Sequence, residues 1–144
     1  MGWSVLLAIE TAMRIGELCA LTVNDYDPVG RSATLHDSKN GDARAVPLSK
    51  RAIEILNRLT EGKERDEKIF PVSAESLGLY FRDARNKAGV TNLKFHDTRH
   101  EAATRISKKL SNVLELSAVT GHRSLSSLRR YYNPTATELA SRLD

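Results

Sequence analysis

The sequence has a single cysteine, Cys19, so it cannot form an internal disulfide. This scarcity is typical of a reducing compartment, and we expect Cys19 to pack inside a helix between Leu18 and Ala20. No apolar run approaches the roughly 20 residues of a membrane span, and no basic segment precedes the short apolar run at the N-terminus. We therefore expect a cytoplasmic protein with no signal peptide and no membrane partner. The sequence also has no internal repeats and no low-complexity segments.

The charged residues are present in ordinary number but are unevenly placed. Lys and Arg total 22 against 18 Asp and Glu, giving a formal charge of +4 and a pI near 9.4. Many of the cations crowd the last third of the chain: Arg99, Arg105, Lys108, Lys109, Arg123, Arg129 and Arg130. Such local clustering points to an anionic partner more strongly than the net charge does.

The length of 144 residues predicts one domain, spanning residues 1–144. Helical spacing of apolar residues predicts helices over residues 4–12, 15–21, 49–60, 74–88, from about 96 onward, 111–119, 124–132 and 135–143. A turn-rich break at 24–30 precedes two strands at 32–36 and 44–48, which are joined by a turn at 39–42. The pattern indicates an α+β, mainly helical fold with a small antiparallel β-sheet.

Two local details accompany these elements. Ser49 is expected to cap the helix that follows it, and Pro47 suits an edge strand because it cannot donate a ladder hydrogen bond. In the helix at 74–88 we expect an interior face made of Leu77, Tyr80, Phe81 and Ala84.

The last third of the chain also carries side chains suited to binding a phosphate. The planar guanidinium of Arg99 matches two phosphate oxygens, while His96 and His122 can donate to oxyanions or move protons near neutral pH. His96 and Arg99 are three residues apart and share a helix face. Gly121 supplies backbone freedom for a tight corner that places His122 at the mouth of the site. A nearby tyrosine is a candidate nucleophile, although a phenol with a pKa near ~10 needs a charged pocket or a base.

Three motifs together resemble the tyrosine recombinase (phage integrase) family. The first is His-x-x-Arg at His96 and Arg99, the second is Gly-His at residues 121–122, and the third is a tyrosine nine residues after the histidine, at Tyr131.

Two earlier segments support the resemblance independently. Residues 11–21 are similar to the family's first arginine motif, with Arg14 in a small-residue turn and a carboxylate three residues later at Glu17. Residues 38–41 resemble the hairpin that carries the family's lysine, here Lys39. Six polar positions therefore occur in the expected order over almost the whole chain, which makes the match specific.

The resemblance implies a tyrosine recombinase catalytic fold that carries out site-specific DNA recombination. Tyr131 would attack a phosphodiester of duplex DNA, giving a 3′-phosphotyrosyl enzyme and a free 5′-hydroxyl, and another 5′-hydroxyl would reverse the step. Arg14 and Arg99 would hold the non-bridging oxygens. The resemblance also implies a reaction without a metal or other cofactor, and because the covalent bond conserves the energy, no ATP is needed.

The same resemblance assigns the remaining roles. His96 would assist proton transfer from the phenol, Lys39 would protonate the leaving oxygen as general acid, and His122 would donate a hydrogen bond to the phosphate. Glu17 would hold a guanidinium in place.

Partners and organisation are also implied by the family. Arg123, Arg129 and Arg130 are the expected DNA contacts. Recombination would require a homo-tetramer on two DNA segments, whereas the free protein could be a monomer. The expected location is the cytoplasm, in association with the nucleoid. Family members usually carry an N-terminal core-binding domain that clamps the duplex, and we expect this clamp to be absent from the chain.

Adjacent tyrosines leave a choice of nucleophile. Successive helical residues point about 100° apart, so only one of Tyr131 and Tyr132 can face the phosphate. The nine-residue spacing from His122 favours Tyr131, which leaves Tyr132 as a core or helix-end contact.

Two other interpretations of the sequence remain open. In the first, the chain is a metal-dependent nuclease or phosphodiesterase, since His96 and His100 lie four residues apart beside Asp97 and Glu101. In the second, residues 111–132 form a non-catalytic helix-turn-helix module that binds DNA.

Overall fold

The computed structural model describes residues 1–36, 43–122 and 124–144. The helices within these residues are α1 (Gly2–Thr11), α2 (Ile15–Ala20), α3 (Lys50–Thr60), α4 (Ala74–Lys87), α5 (Asp97–Lys109), α6 (Val113–Thr120), α7 (Leu125–Leu128) and α8 (Ala136–Ser141). The strands are β1 (Tyr26–Asp27), β2 (Ser32–His36) and β3 (Ala43–Pro47). The expected mainly helical α+β fold with a small antiparallel sheet is confirmed. Lys39 with its expected turn, and Arg123, lie outside the described residues.

The sheet has the strand order β1-β2-β3, with both neighbouring pairs antiparallel. Ala33 and Leu35 of β2 point into the core, as the alternation of a half-buried strand requires, and Ala33 pairs with Val46 of β3. Pro47 ends β3, which is an edge strand of the sheet among the residues that the structure describes, so its missing N–H is tolerated there. The sequence predicted only a turn-rich break where β1 lies, because two residues are too short for a periodic signal.

The core is formed where α1 packs against α3 and α5. Helix α3 begins as expected, since the side chain of Ser49 accepts a hydrogen bond from the backbone N–H of Ala52. Its residues Ile55 and Leu56 are buried, and truncating either one to alanine is expected to cost about 2–5 kcal/mol. Cys19 is buried as well, and burial raises the pKa of its thiol.

The interior face of α4 is narrower than the sequence predicts. Leu77 is buried, and Phe81 packs edge-on against Phe95 with ring centroids 5.5 Å apart. Tyr80 is 52% exposed, so its expected interior position is wrong. The helix turns about 100° per residue, and a stripe centred on Leu77 and Phe81 leaves Tyr80 at its solvent edge.

The helix expected at 124–132 is also much shorter than predicted. It ends at Leu128, whose carbonyl oxygen then accepts hydrogen bonds from the backbone N–H groups of Tyr131 and Tyr132, at 2.9 and 3.1 Å. The chain therefore closes into a turn well before Pro134. Tyr131 lies on this turn and not on a helix face.

No helix in the described parts of the chain is long and apolar enough to cross a membrane.

Candidate active site

The corner between α1 and α2 places Arg14 and prepares a backbone acceptor. Ala12 ends α1 in the left-handed conformation, with φ 61°, and its carbonyl oxygen accepts a 2.7 Å hydrogen bond from Nη1 of Arg99. The small side chain suits this conformation better than a bulky or β-branched one. Arg14 follows in extended conformation, directly before α2, and its guanidinium contacts Glu17 of that helix. A small-residue turn thus ties the start of the chain to α5.

Arg99 is the most deeply buried cation of the site, with only 2% of its surface exposed. Burial, followed by the neighbouring charges of Arg14 and Arg44, lowers the pKa of Arg99 to about 10, against the opposing effect of Glu17. The guanidinium therefore remains charged at neutral pH. Its Nη2 is buried and has no hydrogen-bond acceptor among the residues that the structure describes. A buried, charged donor without an acceptor favours an anionic ligand.

Glu17 lies between two arginines. Its Oε1 accepts a 2.9 Å hydrogen bond from Nη1 of Arg14, and its Oε2 lies 2.8 Å from Nη2 of Arg44. The Arg14 side chain remains 42% exposed, whereas Glu17 is largely covered. One carboxylate therefore orients two guanidinium groups, and the three arginines around it leave the cluster with an excess of positive charge.

Arg44 is a site residue that the sequence analysis did not identify. It enters from β3 opposite Leu35, on the same inward face as Val46. The sequence did contain a signal for Arg44, because the alternation of a half-buried strand predicts an apolar residue at this position. Nη2 of Arg44 is close enough to Glu17 for an ion pair but is not aligned for a hydrogen bond. Nε of Arg44 also has no hydrogen-bond partner among the described residues.

Two observations favour glycine at position 121, at the end of α6. Its φ of 74° lies in the left-handed region, and a Cβ built at this position would come 2.7 Å from Cζ of Arg44. The freedom expected for Gly121 is therefore accompanied by close packing against a guanidinium. This contact joins β3 to the loop that carries His122.

The loop after α6 holds His122 through a defined set of hydrogen bonds. Thr120 Oγ1 donates its one proton to the Leu116 carbonyl at 3.0 Å, so it accepts from Nδ1 of His122 at 2.7 Å. Burial, and then the charges of Arg99 and Arg14, lower the pKa of His122 to about 4. The ring is therefore neutral at pH 7, and its Nε2 carries a lone pair until it gains a second proton.

His96 lies immediately before α5, where its ring packs edge-on against that of His100 at a centroid distance of 5.3 Å. Burial first, and then the charges of His100, Arg99 and Arg14, lower the pKa of His96. Burial, with the nearby guanidinium charges adding to it, thus favours the neutral forms of His96 and His122, which leaves them able to accept protons.

Tyr131 is brought into this cluster by the turn after α7. Its hydroxyl group lies 2.6 Å from Nδ1 of His100, and its ring centroid is 6.4 Å from that of His122. The guanidinium of Arg130 lies 5.9 Å from the Tyr131 ring centroid. Tyr132 points elsewhere, because its hydroxyl group contacts Nη1 of Arg142 beyond α8. Of the two tyrosines, Tyr131 alone lies among the histidines.

Five of the six expected catalytic residues fall within the described chain, and the structure brings them together: Arg14, His96, Arg99, His122 and Tyr131. A pocket of about 620 Å³ beside them is lined in part by Arg14, Glu17, His96 and Arg99. Among the expected DNA contacts, Arg129 and Arg130 are exposed near this cluster. The cluster is chemically suited to binding an anion and to moving a proton from a phenol.

The two other interpretations of the sequence find little support in the geometry. Asp97 accepts from the backbone N–H of Lys94 at 2.8 Å, and Glu101 pairs with Arg105 at 2.7 Å, so both carboxylates are engaged away from the imidazoles. Within residues 1–36, 43–122 and 124–144, no group of three His, Cys, Asp or Glu side chains is arranged to hold a metal ion. The proposed helix-turn-helix also fails, because α7 has only four residues.

The chain is similar to known proteins over almost its whole length. The model of the phage integrase family matches residues 3–138. The chain is 40% identical over 139 residues to a shufflon-specific DNA recombinase of Escherichia coli, covering 96% of this chain and 36% of that protein. Across the curated relatives it matches, the chain spans about a third to a half of their length.

Solved structures share the fold. The catalytic domain of bacteriophage HP1 integrase superposes with a TM-score of 0.74 at 26% identity, covering 99% of this chain and 79% of that one. A Tn1549 transposon integrase in complex with circular intermediate DNA gives a TM-score of 0.74 at 20% identity, covering 99% of this chain and 56% of that one.

Proposed function

The chain belongs to the phage integrase family, and on that premise we propose that residues 1–144 are the catalytic domain of a site-specific DNA recombinase. The observation that carries the proposal is the position of Tyr131, whose phenol lies among three histidines that are themselves next to Arg14 and Arg99. A nucleophile, proton carriers and anion-binding groups thus share one site.

Tyr131 acts as the nucleophile on a DNA phosphodiester. Its phenol oxygen forms a bond to phosphorus as the bond to the 5′-oxygen breaks, which leaves a 3′-phosphotyrosyl enzyme and a free 5′-hydroxyl. Lys39 donates the proton that the leaving oxygen requires. A 5′-hydroxyl from another strand reverses the step, and the conserved phosphodiester energy removes the need for a nucleotide cofactor.

Arg14 and Arg99 hold the two non-bridging oxygens. Arg99 is anchored on the Ala12 carbonyl through Nη1, which leaves Nη2 as the donor for the phosphate. Arg14 is anchored on Glu17 and stays partly exposed, so it can meet the phosphate from the solvent side. Losing one preorganised donor of this kind is expected to slow cleavage by on the order of 10²- to 10³-fold.

The excess of guanidinium charge serves the purpose for which other phosphoryl-transfer sites use a metal ion. Arg44 adds a third cation, held by Glu17 and packed over Gly121. Burial, and then the charges of Arg99 and Arg14, lower the pKa of His122, and a bound phosphodiester offsets the effect of these charges, which favours the second proton on Nε2. His122 can then donate a hydrogen bond to the phosphate, and we propose a metal-independent reaction.

Duplex DNA is the proposed substrate, with Arg123, Arg129 and Arg130 contacting its backbone. Strand exchange between two duplexes needs four active sites, so we propose a homo-tetramer on DNA, acting at the nucleoid in the cytoplasm.

Covalent trapping tests the proposal. Nicked suicide duplexes carrying pooled candidate recombination sites are incubated with the chain in EDTA and resolved under denaturing conditions. We expect an adduct that survives denaturation, is lost in Tyr131→Phe and persists in the matched control Tyr132→Phe. Cleavage that needs added metal and leaves no adduct would contradict the proposal.

A further inference from the structure

One imidazole of the site, that of His100, has not yet been assigned a step of the reaction. His100 lies one turn along α5 from His96, and its Nδ1 is 2.6 Å from the Tyr131 hydroxyl oxygen. The two rings are nearly parallel, with an interplanar angle of 29°. At this separation the two atoms are hydrogen-bonded, and the phenol O–H donates to Nδ1 when the ring proton of neutral His100 is on Nε2.

The other two histidines are engaged differently. Nδ1 of His122 is bonded to Thr120, and the ring of His96 contacts His100 edge-on. In the described part of the chain, the Tyr131 hydroxyl group is hydrogen-bonded to the side chain of His100. The family resemblance assigns transfer of the phenol proton to His96, but the His96 ring contacts His100 on this path.

We propose that His100 is the general base for Tyr131. Nδ1 of His100 takes the phenol proton as the phenol oxygen bonds to phosphorus and the bond to the 5′-oxygen breaks. Lys39 supplies the proton for the leaving oxygen, so the net change is one proton moved from the phenol to the 5′-hydroxyl. In rejoining, His100 returns its proton to the phenol.

This inference rests on the proposed function and deepens it. It also changes the task of His96, which is left to support the His100 ring and to face the pocket beside Arg99. The backbone of His100 is fixed by α5, where its carbonyl oxygen accepts from Thr104 Oγ1 at 2.9 Å. The base is therefore mounted on a helix, whereas the nucleophile sits on a turn.

A base and a mere positioning contact differ in what the side chain must do. Asparagine at position 100 places an amide oxygen near the position of Nδ1 and can still accept the phenol hydrogen bond, but it cannot take the proton at neutral pH. His100→Asn therefore keeps a positioning role and removes a basic one. We expect trapping by His100→Asn to slow by on the order of 10²- to 10³-fold.

A modified substrate separates the nucleophile side from the leaving-group side. In a duplex with sulfur at the bridging 5′ position, the thiolate departs without a proton donor because its pKa is near ~8.5. We expect the His100→Asn defect to persist on this substrate, since the phenol must still lose its proton. The Lys39→Ala defect is expected to shrink on the same substrate, which makes this variant the matched control.

A readout independent of activity follows the pair in the free protein. Nitrogen-15 NMR of the histidine side chains should show Nδ1 of His100 as an acceptor, and its resonance should shift in Tyr131→Phe but stay in place in Tyr132→Phe. An unchanged His100 resonance in Tyr131→Phe would show that the two side chains are not hydrogen-bonded. Trapping by His100→Asn at the rate of the unmutated chain would show that His100 is not the general base. If the unmutated chain forms no adduct, the proposed function is overturned, and with it the catalytic role of His100. The NMR result then still decides whether the contact between His100 and Tyr131 exists.

Discussion

Arg99 donates a 2.7 Å hydrogen bond to the carbonyl oxygen of Ala12, which lies 87 residues earlier in the chain. The bond uses one arm of the guanidinium to join α5 to the α1–α2 corner and leaves the other arm buried without an acceptor in the described chain. The same contact that holds the fold together therefore aims a donor into the proposed phosphate site.

Replacing Arg99 with methionine separates its two tasks. Arg99→Met loses the hydrogen bond to Ala12, which costs about 1–3 kcal/mol, but it also removes a buried cation that Arg14 and Arg44 repel. We expect these effects to offset each other within about 1 kcal/mol in urea unfolding, while adduct formation falls by at least about 10²-fold. A large loss of stability together with normal trapping would contradict this division.

Glu17 is expected to act through orientation and not through stability alone. In Glu17→Gln the pocket keeps its three guanidinium groups but loses the carboxylate that aligns Arg14 and Arg44. We expect DNA affinity to stay equal or to rise, because negative charge is removed, and the trapping rate to fall by about 10-fold or more. Glu101→Gln, which breaks an exposed pair with Arg105, is the control and should change neither quantity. Equal effects of the two variants would show that Glu17 has no special role.

Gly121 offers a matched test of packing against the site. Gly121→Ala and Gly89→Ala both force alanine into the left-handed region, at φ 74° and 71°, but only at Gly121 would the new Cβ meet another group, Cζ of Arg44. We expect Gly89→Ala to cost about 1 kcal/mol and Gly121→Ala to cost clearly more in thermal or urea unfolding. Adding Arg44→Ala should recover the difference. A Gly121→Ala cost equal to that of Gly89→Ala would mean that the Arg44 side chain moves aside freely.

The low pKa of His122 predicts a dependence of stability on pH. Its folded pKa of about 4 lies below the ordinary value of 6.5, so between these values the unfolded chain binds more protons. The stability that comes from keeping His122 neutral is present above pH 6.5 and is lost as the pH falls toward 4. As the pH falls from 6.5 to 4, we expect the free energy of unfolding of His122→Asn to rise by about 1–2 kcal/mol relative to that of the unmutated chain. Partial exposure of the ring screens the rest of the effect. Unfolding curves that stay parallel from pH 7 to pH 4 would contradict the shift.

The site residues were predicted from short motifs that resemble those of a known family. Arg14 with Glu17, and His96 with Arg99, are pairs three residues apart, and that spacing places both side chains on one side of a helix or corner. Such short-range relationships are set by helix geometry, so they survive in the fold.

The remaining features depend on contacts between distant segments. Arg44 reaches Glu17 and Gly121 from β3, which packs beside α6. The hydrogen bond between Tyr131 and His100 depends on a turn that ends α7 early. Helix periodicity predicted a longer helix there, because it does not register the backbone hydrogen bonds that Leu128 accepts from Tyr131 and Tyr132. The family's nine-residue spacing from His122 predicts Tyr131 as the nucleophile, whereas no sequence pattern predicted that its hydroxyl group contacts His100.

The central claim is that Tyr131 becomes joined to a 3′-phosphate of DNA. The most direct measurement is to digest the trapped adduct with protease and nuclease and to locate the residual nucleotide by tandem mass spectrometry. We expect a nucleoside 3′-phosphate on the peptide that contains Tyr131, together with a free 5′-hydroxyl on the released strand. A nucleotide on Tyr132 or another residue, or a linkage through a 5′-phosphate, would contradict the claim.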